Sequence, residues 1–455
     1  MTLTEAAIWT KRFGVIAVFL MTAFVVAILI SLNNNKGEED LAKYLVSDYA
    51  CTQTSQEFVR DKLKLTSAVE LGEGSEWSFN VQTPKGIIET LGLEVAYVYR
   101  YIDVTQSIQS LAHARTIAKN LGFDESKVVQ SKNKTEYGAM DKDHTLVILA
   151  KTENFSYTTE LQYIADTCKK GSVPDYSTAV GAARSALSGS ALNLDLDEWI
   201  TDEEPTYISI EKNGSGYYYT KTNARANANL IKIDFSRKRS LISFEKDVSA
   251  AESWKDILST KTGLNYSETS KIVGDTRIDY YTYDADIGVT RLQNSNISVY
   301  VGCEDKEKRN DSNRVQSVYQ INYAYWPVET EPCGTYPLIS ANMAVQALQN
   351  GNIKNMGGAS LAYLNRKNDS DITDNNGKTT KPLVVNQFRI QAVNFAYYEL
   401  ESDVDHLTYL EPIYVISGEA DLKDGTVATF HFYYPAIDYA NIKDSTVTST
   451  EALPE

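Results

Sequence analysis

The segment Phe13–Leu32 constrains the chain most strongly, because it is apolar apart from two hydroxyl residues. Twenty helical residues at about 1.5 Å each match the ~30 Å hydrocarbon core of a bilayer. A Lys-Arg pair precedes the segment and an acidic stretch follows it, an order that the positive-inside rule associates with a cytoplasmic N-terminus. The sequence therefore predicts a cytoplasmic stretch at 1–12, a transmembrane helix at 13–32 and an extracytoplasmic remainder.

A cleaved signal peptide is the alternative, but its apolar region is shorter and ends in a small-residue cleavage site. Within the predicted helix, Ala23, Ala27 and Ser31 recur at four-residue spacing. Small residues on one face let a second helix approach closely, so we expect these three to form a helix-pairing face. Alanine is also common in any membrane helix, and that simpler interpretation stays open. The expected location is the cell membrane, crossed once.

The charge balance limits the possible partners. The formal net charge is −16, and 43% of the residues are hydrophobic, a composition typical of globular protein. A surface this acidic repels nucleic-acid phosphates and anionic lipid headgroups. We therefore expect no nucleic acid as partner. Another membrane or envelope protein is the expected partner, and a homo-oligomer is possible.

The four cysteines, Cys51, Cys168, Cys303 and Cys333, all follow the predicted anchor, where disulfides persist. Four cysteines allow three pairings, and free buried thiols are the alternative. Cys303 and Cys333 flank one strand candidate and form the preferred pair, worth roughly 3–4 kcal/mol. The chain has no C-x-x-C spacing, so neither zinc binding nor thioredoxin-like chemistry is expected.

Four amphipathic helices are predicted, at 107–123, 176–189, 249–263 and 340–351, and each is followed by strand candidates. A helix must bury its apolar stripe, and a small antiparallel sheet supplies the surface. The predicted fold class is therefore an α+β ectodomain of tandem modules, each one helix packed on a small antiparallel sheet, after a single N-terminal transmembrane helix. The predicted boundaries are a linker at 33–45, modules at 46–170, 171–247, 248–334 and 335–440, and a flexible tail at 441–455.

Three strand predictions are specific. Two apolar runs at 230–236 and 240–246 are separated by Arg-Lys-Arg and predict a hairpin. The alternation of apolar residues after Phe388 changes phase near Ala392, which indicates a bulge there or burial on both faces. Asp424-Gly425 lies between two strand candidates and is a strong hairpin-turn signal.

The last 120 or so residues carry a resemblance. "TYPLISANMAVQALQNG", a strand ending in "FAYYEL", and then "YLEPIYVISGEA" follow one another in an order that resembles the extracytoplasmic region of YycH/YycI-type proteins. The resemblance implies a single-pass protein that binds and restrains a WalK-type histidine kinase, built from PepSY-like modules. Its motifs are short and structural and carry no catalytic residue. The matching positions are Tyr336-Pro337, Ala344, Leu348, Gly351, Tyr397-Tyr398, and Leu410 through Pro412 to Gly418.

No pattern in the sequence indicates catalysis. The four histidines have no His or Cys partner at metal-ligand spacing, and no hydrolase, metalloprotease or phosphate-loop motif occurs. Asp195, Asp197 and Glu198 form a carboxylate cluster that we interpret as a solvated turn. We therefore expect no catalytic, cofactor-binding or metal-ligating residues.

The leading functional hypothesis is a non-enzymatic, membrane-anchored extracytoplasmic protein that binds and regulates another envelope protein. A structural component of a surface assembly, packed edge to edge through Tyr-rich strands, is the first alternative. An enzyme whose site is assembled from distant segments is the second.

Overall fold

The computed structural model describes residues 45–65, 69–82, 93–102, 110–150, 152, 154–188, 199–201, 205–214, 216–247, 251–262, 264–288, 296–305, 316–324, 326–350, 359–366, 382–399 and 408–445. Of these residues 47% are in strands and 20% are helical, so the described fold is mainly β. Its six α-helices are α1 (Ser55–Arg60), α2 (Leu111–Asn120), α3 (Leu161–Thr167), α4 (Tyr176–Leu187), α5 (Ala251–Thr262) and α6 (Ala341–Asn350).

The nineteen strands of the described residues join into one hydrogen-bonded network. In chain order they are β1 (Phe79–Val81), β2 (Val95–Arg100), β3 (Val129–Gln130), β4 (Glu136–Asp141), β5 (His144–Leu149), β6 (Phe155–Thr159), β7 (Trp199–Thr201), β8 (Thr206–Asn213), β9 (Gly216–Thr222), β10 (Leu230–Glu245), β11 (Tyr266–Val273), β12 (Thr276–Gly288), β13 (Ile297–Val301), β14 (Val318–Tyr323), β15 (Gly334–Pro337), β16 (Ser360–Arg366), β17 (Val385–Tyr398), β18 (Tyr409–Leu422) and β19 (Val427–Pro435).

The first large sheet has the order β3-β4-β5-β6-β14-β13-β10, and β7 and β8-β9 continue it along the far edge of β10. All of its neighbouring strands are antiparallel. Helices α2 and α4 both bury their apolar stripes in the same core cluster as this sheet. That core includes Ile117 and Ala183 from the helices and Ile233 and Val299 from the strands.

The second large sheet runs β16-β19-β18-β17 in antiparallel order. Strands β1 and β12 then lie parallel to β17 at different positions along it, and β12 is flanked by β11 and β10. Its core, the largest in the described residues, also contains Trp254 of α5 and Val345 of α6.

Strand β10 belongs to both large sheets. It is sixteen residues long. Leu230 to Arg237 pair with β7, β8 and β13 of the first sheet, and Lys238 to Glu245 pair with β12 of the second. The predicted hairpin is therefore wrong, because the Arg-Lys-Arg run continues the strand at the crossover between the sheets.

The three basic residues are compatible with a strand because each meets a distant partner. The Arg237 guanidinium lies 5.6 Å from the centre of the Trp199 ring. Lys238 Nζ lies 2.6 Å from Asp284 Oδ2. Arg239 is buried, with its guanidinium 5.3 Å from the centre of the Tyr99 ring, a distance at which cation–π attraction is effective.

A small third layer joins the two ends of the described chain. Strand β2 pairs with β15 and with the start of β18. Beside it, the fully buried Phe58 of α1 stacks on Tyr336 and Tyr409 at 4.0 and 4.9 Å between ring centres. Ser55 donates from its backbone N–H to Asp444 Oδ1 over 2.9 Å, so residues near the C-terminus pack against this layer.

The predicted fold class is wrong, although its helices are confirmed. All four predicted helices form, as α2, α4, α5 and α6. They do not each rest on a small sheet of their own. Instead α2 and α4 share the first large sheet, and α5 and α6 share the core of the second. The PepSY-like description is therefore not supported.

The expected membrane anchor also finds no support. Among the described residues, no helix combines the length and the apolar character that a bilayer crossing requires. The segment 13–32, with Ala23, Ala27 and Ser31, lies outside the described residues.

Two local predictions are confirmed. The pairing of β17 with β18 shifts register between Ile390 and Ala392, as the change of phase in the sequence indicates. Asp424-Gly425 forms the turn between β18 and β19, with Gly425 at a φ of 83°, a conformation that glycine adopts without strain.

Candidate functional site

A cleft of about 770 Å³ opens at one end of the first large sheet. Its lining is polar and predominantly acidic. Five carboxylates and two lysines contribute to it: Asp143, Glu160, Asp166, Glu304, Asp305, Lys142 and Lys169. We call this site the acidic cleft.

One wall of the acidic cleft is α3. Ile164 faces the core and is fully buried, as is Cys168 immediately after the helix. This spacing of four residues fixes which side of the helix faces inward, so Glu160 and Asp166 remain exposed. The helix start is tied to the neighbouring turn, because the Glu160 N–H donates to the Asp143 carbonyl over 2.8 Å.

The floor of the cleft is cross-linked. A disulfide joins Cys168 to Cys303, with 5.4 Å between their Cα atoms, and so connects the end of α3 to the residues after β13. The buried Tyr319 hydroxyl donates to the Cys303 carbonyl over 3.0 Å and lies 3.2 Å from Cys168 Sγ. Burial raises the pKa of Tyr319 well above its usual value, so this hydroxyl remains a neutral donor.

The expectation of disulfides is confirmed, but the preferred pair Cys303–Cys333 is wrong. The second disulfide joins Cys51 to Cys333, with 4.7 Å between their Cα atoms. Cys303 follows β13 of the first sheet, whereas Cys333 precedes β15 of the small layer. The two therefore lie in different parts of the fold, and each pairs with a residue far away in sequence.

Asp305 is the deepest carboxylate of the cleft and is only 1% exposed. Its Oδ2 accepts a hydrogen bond from the Tyr163 hydroxyl over 2.8 Å, and its N–H donates to the Gln316 carbonyl over 2.9 Å. The Tyr163 ring contacts His144 edge to face at 5.6 Å. Asp305 is therefore held in one position at the base of the cleft.

The chemistry available in the cleft is electrostatic. Carboxylates attract cations and accept hydrogen bonds from them. The described part of the chain contains no group of three or more His, Cys, Asp or Glu side chains placed to hold a metal ion. Five carboxylates in one cleft are suited to the ammonium and guanidinium groups of Lys and Arg side chains.

A second polar centre lies where the two large sheets meet. Glu399 is 1% exposed. Its Oε1 accepts from the Trp326 N–H over 3.1 Å, and its Oε2 accepts from the Asn296 amide. The Asn296 Oδ1 in turn accepts from the Arg237 N–H of β10 over 3.1 Å. Burial raises the pKa of Glu399 to about 8, although the hydrogen bonds and the charge of Arg239 favour the ionised form. This centre is enclosed, and we assign it a structural role.

Sequence reasoning did not identify the acidic cleft, because its residues come from three separated segments. One local signal was present: Leu161, Ile164, Ala165 and Cys168 have the apolar spacing of a helix, and this helix is α3. The carboxylate cluster at Asp195, Asp197 and Glu198, singled out in the sequence, lies outside the described residues.

The chain matches no family model, no curated protein and no solved structure. The resemblance to YycH/YycI-type proteins therefore stays a prediction.

Proposed function

We propose that this chain is an extracytoplasmic, non-enzymatic protein that binds another protein of the cell envelope. In this proposal the acidic cleft receives a basic segment of the partner. The observation that carries the proposal is the cleft itself, about 770 Å³ lined by five carboxylates and two lysines. Complementary charge guides association and selects among partners.

The disulfides support the proposed location. All four cysteines are paired, in Cys51–Cys333 and Cys168–Cys303. Structural disulfides form and persist in extracytoplasmic compartments and are rare in the cytosol.

The lining supports a peptide segment over a small organic ligand. Small-molecule pockets are mostly apolar, with a few polar groups that fix orientation. This cleft instead presents charged side chains from α3, from the β4–β5 turn and from Glu304 and Asp305. A lysine or arginine side chain that enters it would approach the exposed Glu160, Asp166 and Glu304, with the buried Asp305 behind them.

Titration calorimetry tests the proposal with a lysine- and arginine-rich peptide and a glutamate-rich peptide of equal length. We expect the basic peptide to bind more tightly, and its affinity to fall as salt screens the charges. The double variant Glu160→Gln with Asp166→Asn should weaken binding by roughly 2- to 30-fold, because each exposed pair contributes about 0.2–1 kcal/mol.

Glu136→Gln is the matched control, because Glu136 is an exposed acid of β4 that does not line the cleft. It changes the overall charge without changing the cleft and should leave affinity nearly unaltered. Equal losses in Glu136→Gln and in Glu160→Gln or Asp166→Asn made alone would show only general attraction to an acidic protein and would refute the assignment of the cleft.

A further inference from the structure

The hairpin formed by β11 and β12 extends from the second large sheet as a two-stranded arm. The residues from Glu268 to Arg277 are exposed to solvent. At its tip, Ile272 is 77% exposed and Val273 is 51% exposed. An isolated two-stranded hairpin is only marginally stable in water. Exposing apolar side chains at its tip is unfavourable unless another surface covers them.

Polar side chains hold the arm together. The Thr269 and Thr282 hydroxyls lie 2.7 Å apart, and the Ser270 hydroxyl donates to Asp279 Oδ1 over 2.6 Å. Arg277 donates to the Ser270 hydroxyl over 2.8 Å. These contacts stabilise the strand pair, but they do not cover its tip or its edge.

Within the part of the chain that the structure describes, strand β11 presents an open edge. Among the described residues its only ladder is the one with β12, which closes at the pair Val273 and Thr276 around Gly274, whose φ is 61°. In a two-residue hairpin the closing pair exchanges hydrogen bonds, and the pairs alternate from there. The backbone N–H and C=O groups of Glu268, Ser270 and Ile272 therefore point away from β12, along the free edge.

We propose that this edge pairs with the same strand of a second copy of the chain, antiparallel and around a two-fold axis at Thr269. In that register Tyr266 lies opposite Ile272 of the second copy, and Glu268 lies opposite its Ser270. The outward backbone N–H and C=O groups of the two strands then form hydrogen bonds with each other. In each copy, Ile272 is covered by Tyr266 of the other copy. This inference is independent of the acidic cleft.

The register follows from symmetry. A two-fold axis normal to the sheet leaves each side chain on the same face of the sheet. Two residues that lie opposite each other also share a face, and faces alternate along a strand. The two residue numbers of a pair must therefore be both odd or both even. An axis at Ser270 satisfies that rule as well, but it places Ile272 opposite Glu268, an apolar side chain against a charge. The axis at Thr269 places Ile272 against an aromatic ring, a favourable cross-strand pair.

Charge favours a second copy as the occupant. The chain carries a net charge of −16, so most of its surface repels another copy. From Tyr266 to Val273, however, the only charged residues are Glu268 and Lys271, which cancel. In the proposed register Lys271 lies opposite Ser267 of the second copy, and no like charges lie directly opposite each other. The two Glu268 side chains are diagonal neighbours, and each is paired with Lys246 of its own chain.

Sedimentation equilibrium of the full chain, with Ser270→Pro and Ser270→Ala, tests the proposal. Both variants lose the serine hydroxyl, but only proline removes the outward N–H, and proline is tolerated at a strand edge. We expect wild type and Ser270→Ala to dimerise, and Ser270→Pro to dissociate at least ten-fold more readily. A monomeric wild type, or equal dimerisation of all three, would overturn the proposal.

Oxidative cross-linking tests the register. Thr269→Cys places the two thiols opposite each other, within disulfide reach, and should yield a covalent dimer. Lys271→Cys places them four residues apart along the strands, roughly 13 Å, and should yield none. Equal cross-linking of both variants would refute the register.

Discussion

Replacing Glu399 with glutamine should remove a pH dependence of stability, so that the variant gains stability relative to wild type as pH rises from 4 to 8. Glu399 lies at the junction of the two large sheets, accepting hydrogen bonds from the Trp326 N–H and the Asn296 amide. Burial raises its pKa from 4.5 to about 8. Glutamine has the same shape, retains an acceptor for the Trp326 N–H and does not titrate. Its NH2 group cannot accept from the Asn296 amide, and the loss of that hydrogen bond lowers stability by the same amount at every pH.

The sign follows from proton linkage. Between pH 4.5 and pH 8 the folded protein keeps a proton on Glu399 that the unfolded chain has released, so stability falls as pH rises through this window. One pKa unit corresponds to about 1.4 kcal/mol, so the full window amounts to about 5 kcal/mol. Below pH 4.5 both states are protonated and the contribution is fully present, whereas above pH 8 the loss is complete.

Urea unfolding of wild type and Glu399→Gln, measured from pH 4 to pH 9, isolates this group. The free energy of unfolding of the variant minus that of wild type should rise by about 1.4 kcal/mol per pH unit between pH 5 and pH 8. Glu411 also has its pKa raised by burial to about 8, but it titrates in both proteins and cancels in the difference.

The opposite outcome has a clear meaning. If Glu399→Gln loses stability as pH rises, the folded protein holds Glu399 ionised, paired with the nearby charge of Arg239. If the difference does not vary with pH, Glu399 titrates alike in the folded and unfolded states. Either result would refute the account of a protonated carboxyl between the sheets.

Two further predictions concern stability. Gly418→Ala should lower the free energy of unfolding by about 1–3 kcal/mol or more, because a Cβ there would lie under 3.0 Å from the Arg389 carbonyl oxygen beside the bulge in β17. Gly138→Ala is the control in thermal unfolding, because its Cβ would be 3.9 Å from its nearest neighbour. Equal shifts of the unfolding temperature in the two variants would contradict the argument. Cys168→Ser should lower the free energy of unfolding by up to about 5 kcal/mol, because the disulfide closes a loop of 135 residues. It should also weaken binding of the basic peptide, because the cleft floor is no longer cross-linked. An unchanged denaturation midpoint would show that the disulfide does not contribute to stability.

Local signals in the sequence predicted local structure. Ala114, Ile117 and Ala118 form a stripe that is buried in α2, and the phase change near Ala392 corresponds to a real bulge. The turn at Asp424-Gly425 follows from the backbone freedom of glycine. Each of these features is determined by residues within a few positions of one another.

Features that depend on distant partners could not be predicted. Arg237, Lys238 and Arg239 have the composition of a turn, and only Trp199, Asp284 and Tyr99 make a continuous strand favourable there. The choice among three disulfide pairings likewise depends on which distant segments the fold brings together. The acidic cleft also depends on distant partners. Its floor requires the Cys168–Cys303 bond, and its walls come from segments more than a hundred residues apart.

The early position of β2 in the chain has a consequence for biosynthesis. Strand β2 pairs only with β15 and β18 among the described strands, so it emerges from the ribosome long before either partner exists. Cys51 likewise waits for Cys333, 282 positions later, and meets Cys168 first. Oxidation in the order of synthesis would therefore join Cys51 to Cys168, and the native pairs would then require thiol–disulfide exchange. With that order of oxidation, the yield of native protein would depend on the redox catalysts of the compartment in which it folds.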